Sequence, residues 1–143
     1  MKIKFITIGE PKGEYQGIFL EFQKRIGRFA QLEVVHIKEG KDTEQKVVGG
    51  CKGFFTILLD EHGKEFTSRE FSVFLDKKEV GGISSIAFVI GGTDGHTEAV
   101  RKIGDYSLAL SRLTLPHDLA MVVAIEALYR ALTIKAGHPY HRG

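Results

Sequence analysis

Two short runs constrain the fold of this chain more than anything else in it. Phe54–Leu59 and Ile86–Ile90 are apolar almost throughout, too short for buried helices and lacking the alternation of a strand with one wet face. Strands of that kind are covered on both sides, which is the situation of a parallel sheet flanked by helices. The neighbouring segments agree. Lys2–Ile8 has a period-2 character rich in β-branched residues and stops at Gly9, and Leu32–Ile37 reads as a second strand. Between them Tyr15–Arg28 sets Ile18, Phe19, Phe22 and Ile26 at helical spacing. Asp42–Cys51 reads as a short helix weakened by Gly49 and Gly50, and Thr67 or Ser68 caps a helix that turns Phe71, Phe74 and Leu75 to the core. Strand and helix alternate, so the expected fold is α/β, a mostly parallel sheet with helices on both faces.

At 143 residues the chain has the length of one domain, expected to span 1–143 with no linker, repeat or low-complexity tract. Hydrophobic residues make up 43% and charged residues 27%, the balance of a globular chain rather than a disordered or membrane one. The formal net charge of +2 permits a nucleic-acid partner without arguing for one. The single cysteine, Cys51, can form neither an intrachain disulfide nor a multi-cysteine metal site, which fits a reducing compartment. Met1–Ile8 alternates polar and apolar residues instead of presenting a basic segment and a long apolar one, so a cytoplasmic location is expected.

The last third departs from the regular pattern. Thr97–Gly104 reads as a short helix, Tyr106–Leu110 as a short strand, and Ser111–His117 as a loop ending in Leu115-Pro116-His117, with Pro116 starting the next helix. From Asp118 to Ala136 only Glu126, Arg130, Thr133 and Lys135 interrupt the apolar residues, and the first three mark one narrow stripe at helical spacing. One sheet face of so small a domain cannot cover all of such a helix, so it is either a central core helix or, the preferred reading, a subunit interface. Glu126 and Arg130 break the run short of the ~20 apolar residues a membrane span needs.

Three places carry chemistry. Gly91, Gly92 and Gly95 follow an apolar strand directly, and residues without Cβ allow a ligand to approach the backbone closely; an ordinary turn capped by Thr93 or Asp94 would use the same residues. Neither the GxGxxG dinucleotide fingerprint nor the GxxxxGK[ST] phosphate loop occurs there, which counts against NAD and ATP. Leu59, Leu110, Leu113 and Leu115 fit either core packing or the apolar wall of a cleft. His138, Tyr140, His141 and Arg142 combine imidazole, phenol and guanidinium within a few residues, an arrangement suited to an unpaired base and its phosphate, although chain ends also fray. His117 with Asp118 is a weak hydrolase signal, since no GxSxG elbow accompanies it. The His138 and His141 pair lacks further ligands at metal-site spacing, so no metal is expected.

Four blocks, taken in order, give a family resemblance: Phe88-Val-Ile-Gly-Gly-Thr-Asp-Gly95, Leu108-Ala-Leu-Ser-Arg-Leu-Thr-Leu-Pro-His117, Glu126-Ala-Leu-Tyr-Arg130 and His138-Pro-Tyr-His-Arg142. They resemble the signature blocks of the RlmH family, SPOUT-class methyltransferases of 23S ribosomal RNA, and the likeness runs along nearly the whole chain. The resemblance implies a C-terminal trefoil (α/β) knot, S-adenosyl-L-methionine as cofactor, and methylation of N3 of a pseudouridine in helix 69 of the large ribosomal subunit. It implies cofactor contacts at Leu59, Gly91 and the segment Leu110, Ser111, Arg112, Leu113, Thr114, Leu115. For Arg112 the methionine carboxylate, an RNA phosphate and plain exposure all stay open. It further implies a homodimer in which the tail of one subunit completes the cleft of the other, with His141, Tyr140 and Arg142 as catalytic and His138, Tyr140 and Arg142 as substrate-binding residues. The family's partner is 23S rRNA in the ribosome. One departure is Asp42–Gly53, short and glycine-broken where family members carry a longer helix. The rival reading from a different class is a non-catalytic RNA-binding module gripping phosphates with Lys2, Lys4, Lys24, Arg25, Arg28 and the tail.

Overall fold

The computed structural model describes residues 1–142. Five strands, β1 (Lys2–Ile8), β2 (Gln31–Ile37), β3 (Phe55–Glu65), β4 (Ser85–Ile90) and β5 (Tyr106–Ala109), form one sheet in the order β2-β1-β4-β3-β5. Every pairing is parallel. Five helices connect them: α1 (Glu14–Ile26), α2 (Thr43–Cys51), α3 (Ser68–Val80), α4 (Glu98–Ile103) and α5 (His117–Ala136).

Successive side chains of a strand point to opposite faces, and both faces here are apolar. Ile3, Phe5, Ile57, Ile86 and Phe88 pack under α1, α3 and α5, while Ile6, Ile8, Leu58, Ala87 and Val89 pack under α2 and α4. Side chains as buried as Phe5, Phe88, Ile57 and Ile86 each contribute about 1.5–3 kcal/mol over exposure. The doubly covered sheet expected from the apolar runs is therefore what forms.

Local details differ from the sequence reading. On α1 the buried face is Phe19 and Ile26 with Phe22 half-buried, whereas Ile18 lies outside, 45% exposed. Helix α2 runs unbroken through Gly49 and Gly50. A Cβ on Gly50 would stand 3.2 Å from the Ile6 side chain, so this glycine lets the helix approach the sheet rather than ending it. Thr67 caps α3 in a reciprocal capping box with Glu70. Thr97, not Thr93 or Asp94, caps α4. Pro116 occupies the cap of α5 rather than its first turn, and His117 already belongs to the helix.

Strand β3 is longer than its apolar run. After Leu59 the pairing with β5 breaks, and it resumes with Lys64 opposite Leu108 and Glu65 opposite Ala109, leaving Asp60–Gly63 as a bulge. A Cβ on Gly63 would meet the Ser107 backbone at 2.7 Å, so only glycine lets the bulge return to β5. Beyond β5, at one edge of the sheet, the chain reaches α5, whose first residue bonds to β1: His117 Nε2 lies 2.6 Å from the Ile8 carbonyl oxygen. Residues 110–116 therefore cross over the ends of β3 and β4.

Candidate functional site

That crossing closes a cleft. Leu59 is level with Ile90 on one side and Leu108 on the other, so the loops after β4 and β5 leave the sheet on either side of it. Between them opens a cavity of about 620 Å³ at the carboxyl ends of the strands, where open parallel sheets hold ligands. Its walls mix Leu59, Ile90, Leu110 and Leu115 with the hydroxyls of Ser111 and Thr114, and it continues to His117 and Ala120 at the start of α5. The size suits a nucleoside-sized molecule.

The glycine loop is tightly built. Gly95 N–H donates to the Gly92 carbonyl at 3.0 Å, and Gly95 adopts φ +78°, a turn that β-carbons disfavour. A Cβ on Gly91 would lie 3.0 Å from the Gly95 carbonyl, so the backbone fills its own turn and leaves the cleft side bare. His96 ends the loop with Nε2 2.8 Å from the Leu59 carbonyl oxygen, tying it to β3. Burial pushes the His96 pKa below its ordinary value, with the Leu59 carbonyl and Asp60 opposing and Arg101 assisting. On the bulge, Asp60 pairs with Arg101 of α4 at 2.7 Å, its side chain 8% exposed. Burial raises the Asp60 carboxyl, but the His62 N–H bond and Arg101 outweigh it and the net shift is downward.

Of the residues expected to touch a cofactor, Leu59, Gly91, Leu110, Ser111, Leu113, Thr114 and Leu115 line the cleft. Arg112 does not. Its Nε donates to Glu65 at 2.8 Å, and it also reaches the Glu61 carbonyl, while the Thr114 hydroxyl donates to the Glu61 carboxylate at 3.2 Å. Arg112 thus anchors the crossing loop to the β3 bulge, an arrangement invisible in sequence because Glu65 lies 47 residues away. Asp60, His96, Arg101 and His117 face the cleft without having been singled out for it. Asp60 directly follows the apolar run of β3 and His96 directly follows the glycine turn, a positional signal that the residue types alone do not carry.

The tail lies elsewhere. Tyr140 packs edge-on against Tyr129 with ring centroids 4.6 Å apart, and its hydroxyl donates to Glu126 at 2.7 Å. Arg130 forms a fork with the same carboxylate, 2.6 and 3.1 Å from Oε2, and lies 4.8 Å from the centre of the Tyr140 ring. Its Nη1 donates to His141 Nδ1 at 3.2 Å. That nitrogen therefore accepts, the neutral ring carries its proton on Nε2, and Nε2 is buried without a partner among the described residues. His138 meets the edge of Phe29, and Arg142 is exposed. Burial first, then Glu126, pushes the Tyr140 pKa up from 10.0 to about 12. The stripe Glu126–Arg130–Thr133 is accordingly not a solvated one: Thr133 is fully buried, and the tail covers the other two. None of the tail residues lines the cleft. Thirteen helical steps lead from His117 to Arg130, roughly 20 Å along the axis.

Cys51 is buried, and burial raises its thiol pKa, leaving it unreactive packing. Among the described residues no three His, Cys, Asp or Glu side chains cluster to hold a metal, and no helix is long and apolar enough to cross a membrane.

Comparison with known proteins agrees with this architecture. A family model described as "Predicted SPOUT methyltransferase" matches residues 1–141. The chain is 45% identical over 145 residues to ribosomal RNA large subunit methyltransferase H of Deinococcus deserti, covering 99% of this chain and all of that one. It is 39% identical to a protein of the same name from Thermus thermophilus, covering 99% of each. Among solved structures, a probable methylase family protein from Haemophilus influenzae superposes with a TM-score of 0.59 at 13% identity, over 99% of this chain and 70% of that one, a likeness of fold alone. With a parallel sheet, a glycine loop at its carboxyl ends and this sequence similarity along its whole length, the chain belongs to the SPOUT methyltransferases, in the ribosomal RNA large subunit methyltransferase H family.

Proposed function

We propose that this protein transfers a methyl group from S-adenosyl-L-methionine to N3 of a pseudouridine in helix 69 of 23S rRNA, acting in the cytoplasm as a homodimer on the ribosome. Residues 1–143 form one SPOUT-type domain in this reading. In this reading residues 110–116, which cross over the ends of β3 and β4, belong to a C-terminal trefoil knot. The observation that carries the proposal is the separation of two half-sites on one chain: a cleft without the tail, and a tail without the cleft.

The cleft fits the cofactor. Its volume suits a nucleoside, Leu59, Leu110 and Leu115 offer an apolar slot for a purine, Ser111 and Thr114 offer hydroxyls, and Gly91 leaves the backbone bare. When bound, S-adenosylmethionine supplies a methyl group on a sulfonium, an electrophile that needs no further activation. What remains for the protein is alignment, exclusion of water and removal of the imide proton from N3.

The tail is suited to those tasks. Tyr140 offers a ring on which a base can stack, Arg142 is free to meet a phosphate or a developing negative carbonyl, and His141 or His138 accepts the N3 proton. In the docked arrangement His141 Nδ1 is occupied by Arg130, so a base role for His141 requires that contact to open. A two-fold pairing of α5 helices would bring the tail of one copy beside the cleft of the other. Leu119, Val122, Val123, Ala127 and Ile134 form a half-buried apolar stripe suited to that contact.

Subunit mixing tests the reading. Gly91→Trp forces apart the glycine loop that walls the cleft and Tyr140→Ala disables the tail, so each homodimer should be inactive on ribosomes. Equimolar exchange should restore about a quarter of wild-type activity, because half of the dimers are mixed and each of those holds one intact composite site. Two inactive variants that stay inactive after verified exchange would refute the shared site. A folded wild-type protein that binds ribosomes but never S-adenosylmethionine would favour the RNA-binding module instead.

A further inference from the structure

We propose that His96 is a positioning residue for the cofactor cleft, its uncharged ring fastening the glycine loop to the end of β3. The inference rests on the cofactor reading above and adds a residue and a pH dependence to it.

The geometry is specific. A carbonyl oxygen only accepts, so the 2.8 Å contact with Leu59 places the ring proton on Nε2. The other nitrogen faces Gly91 closely enough that a Cβ there would stand 3.1 Å from it. The ring therefore bridges Leu59 and Gly91, which both line the cleft. It is also a partition. A second cavity of about 370 Å³ lies behind the glycine loop, over Ile8, Val47, Val89 and Val100, and Gly91, Gly92, Gly95 and His96 border both spaces. The Gly95–Gly92 hydrogen bond closes the turn within the loop, and the His96 contact with Leu59 is what ties that turn to β3.

Charge decides when the latch serves its ligand. The groups around the ring are Asp60, Glu61 and His62 of the bulge, Arg101 of α4, Asp94 of its own loop and His117 of α5, with Glu39, Lys41 and Glu44 across the second cavity. Burial and Arg101 disfavour the imidazolium, while the Leu59 carbonyl and Asp60 favour it, and the net pKa lies below the ordinary histidine value. The ring is thus neutral at pH 7. Protonation at lower pH would add a positive charge to the wall of a site that must receive a sulfonium cation. The sign follows: affinity for S-adenosylmethionine is full above the lowered pKa and falls as pH drops through it. The uncharged thioether S-adenosylhomocysteine should lose less.

The test uses full-length protein without RNA. Nitrogen NMR of the ring in the free protein should report a neutral, Nε2-protonated tautomer at pH 7, and a charged or Nδ1-protonated ring would overturn the proposal. Calorimetry from pH 5 to 8 should show wild-type affinity for S-adenosylmethionine falling by up to about tenfold per pH unit below the ring's titration. His96→Gln keeps an N–H donor of similar reach without titrating, so it should bind nearly as wild type at pH 8 and lose the acid limb. His96→Ala should bind about tenfold more weakly than wild type at pH 8, the effect of one lost hydrogen bond, and should likewise lose the acid limb. An acid limb that survives in His96→Gln, or a folded His96→Ala that binds as wild type, would sink the inference while leaving the cofactor cleft standing. Absence of binding by wild-type protein at any pH would sink both.

Discussion

The cleft and the tail are built by opposite means. The cleft is made of backbone: strand ends, a glycine turn, a bulge that Gly63 alone permits, and a crossing loop pinned by Arg112. The tail is made of side chains, with Tyr140, Arg130 and His141 converging around Glu126 on the surface of α5. A site of backbone holds its shape when most single side chains change, while Asp60, His96, Arg101 and His117 line its walls. A cluster of side chains depends on each member. Under the proposed function, separating the two lets cofactor binding and base recognition be tuned independently and makes joining them a matter of assembly.

The largest test of this contrast strikes the cleft. Gly91→Trp should weaken S-adenosylmethionine binding by on the order of 100-fold or more in calorimetry, since the side chain must occupy the cleft or displace Gly95. The phenol of Tyr140 should still titrate near 12 in ultraviolet absorbance. A Tyr140 that shifts along with the cleft would show the two regions to be coupled within one chain.

A smaller effect is expected from Glu126→Gln. Tyr140 is raised by burial and then by Glu126, so removing that charge should move its titration down from about 12 towards 10.0. The sign is that of an acid with a raised folded pKa: docking of the tail is fully stabilised below pH 10 and is lost as pH climbs through the folded value. The substitution should cost about 1–2 kcal/mol in denaturant unfolding, because Arg130 loses its charged partner at a site only about a quarter exposed. Cofactor affinity should stay within about twofold, a change of only a few tenths of a kcal/mol. A larger loss would mean that the tail supports its own cleft.

The smallest effect serves as a background. Thr67→Ala removes the capping box of α3, away from both sites, and should cost about 1 kcal/mol of stability. Neither the Tyr140 titration nor cofactor binding should change. If either does, global destabilisation rather than local contact accounts for part of the other two results.

Much of this was legible in the residues. Ile86–Ile90 running into Gly91 announced a buried parallel strand opening on a loop, and His138, Tyr140, His141 and Arg142 announced a tail dense in imidazole, phenol and guanidinium groups. Arg112 was not legible in this way, because it sits among cleft residues in sequence while its side chain turns to Glu65 of β3. Ile18 looked like core because it is apolar and suitably spaced, but α1 is rotated so that Phe19 and Ile26 carry the contact instead.

Sequence by itself determined what local physics determines: hydrophobic period, strand and helix type, turn glycines and the residue chemistry available at each loop. Only the tertiary structure decided which loops meet, that Asp60–Gly63 bulges to become the cleft rim, that His96 spans from Gly91 to Leu59, and that the tail docks on its own α5. The reason is distance along the chain. Contacts between residues 37 or 47 positions apart depend on strand order and register, and those are set by the packing of the whole sheet rather than by any segment of it.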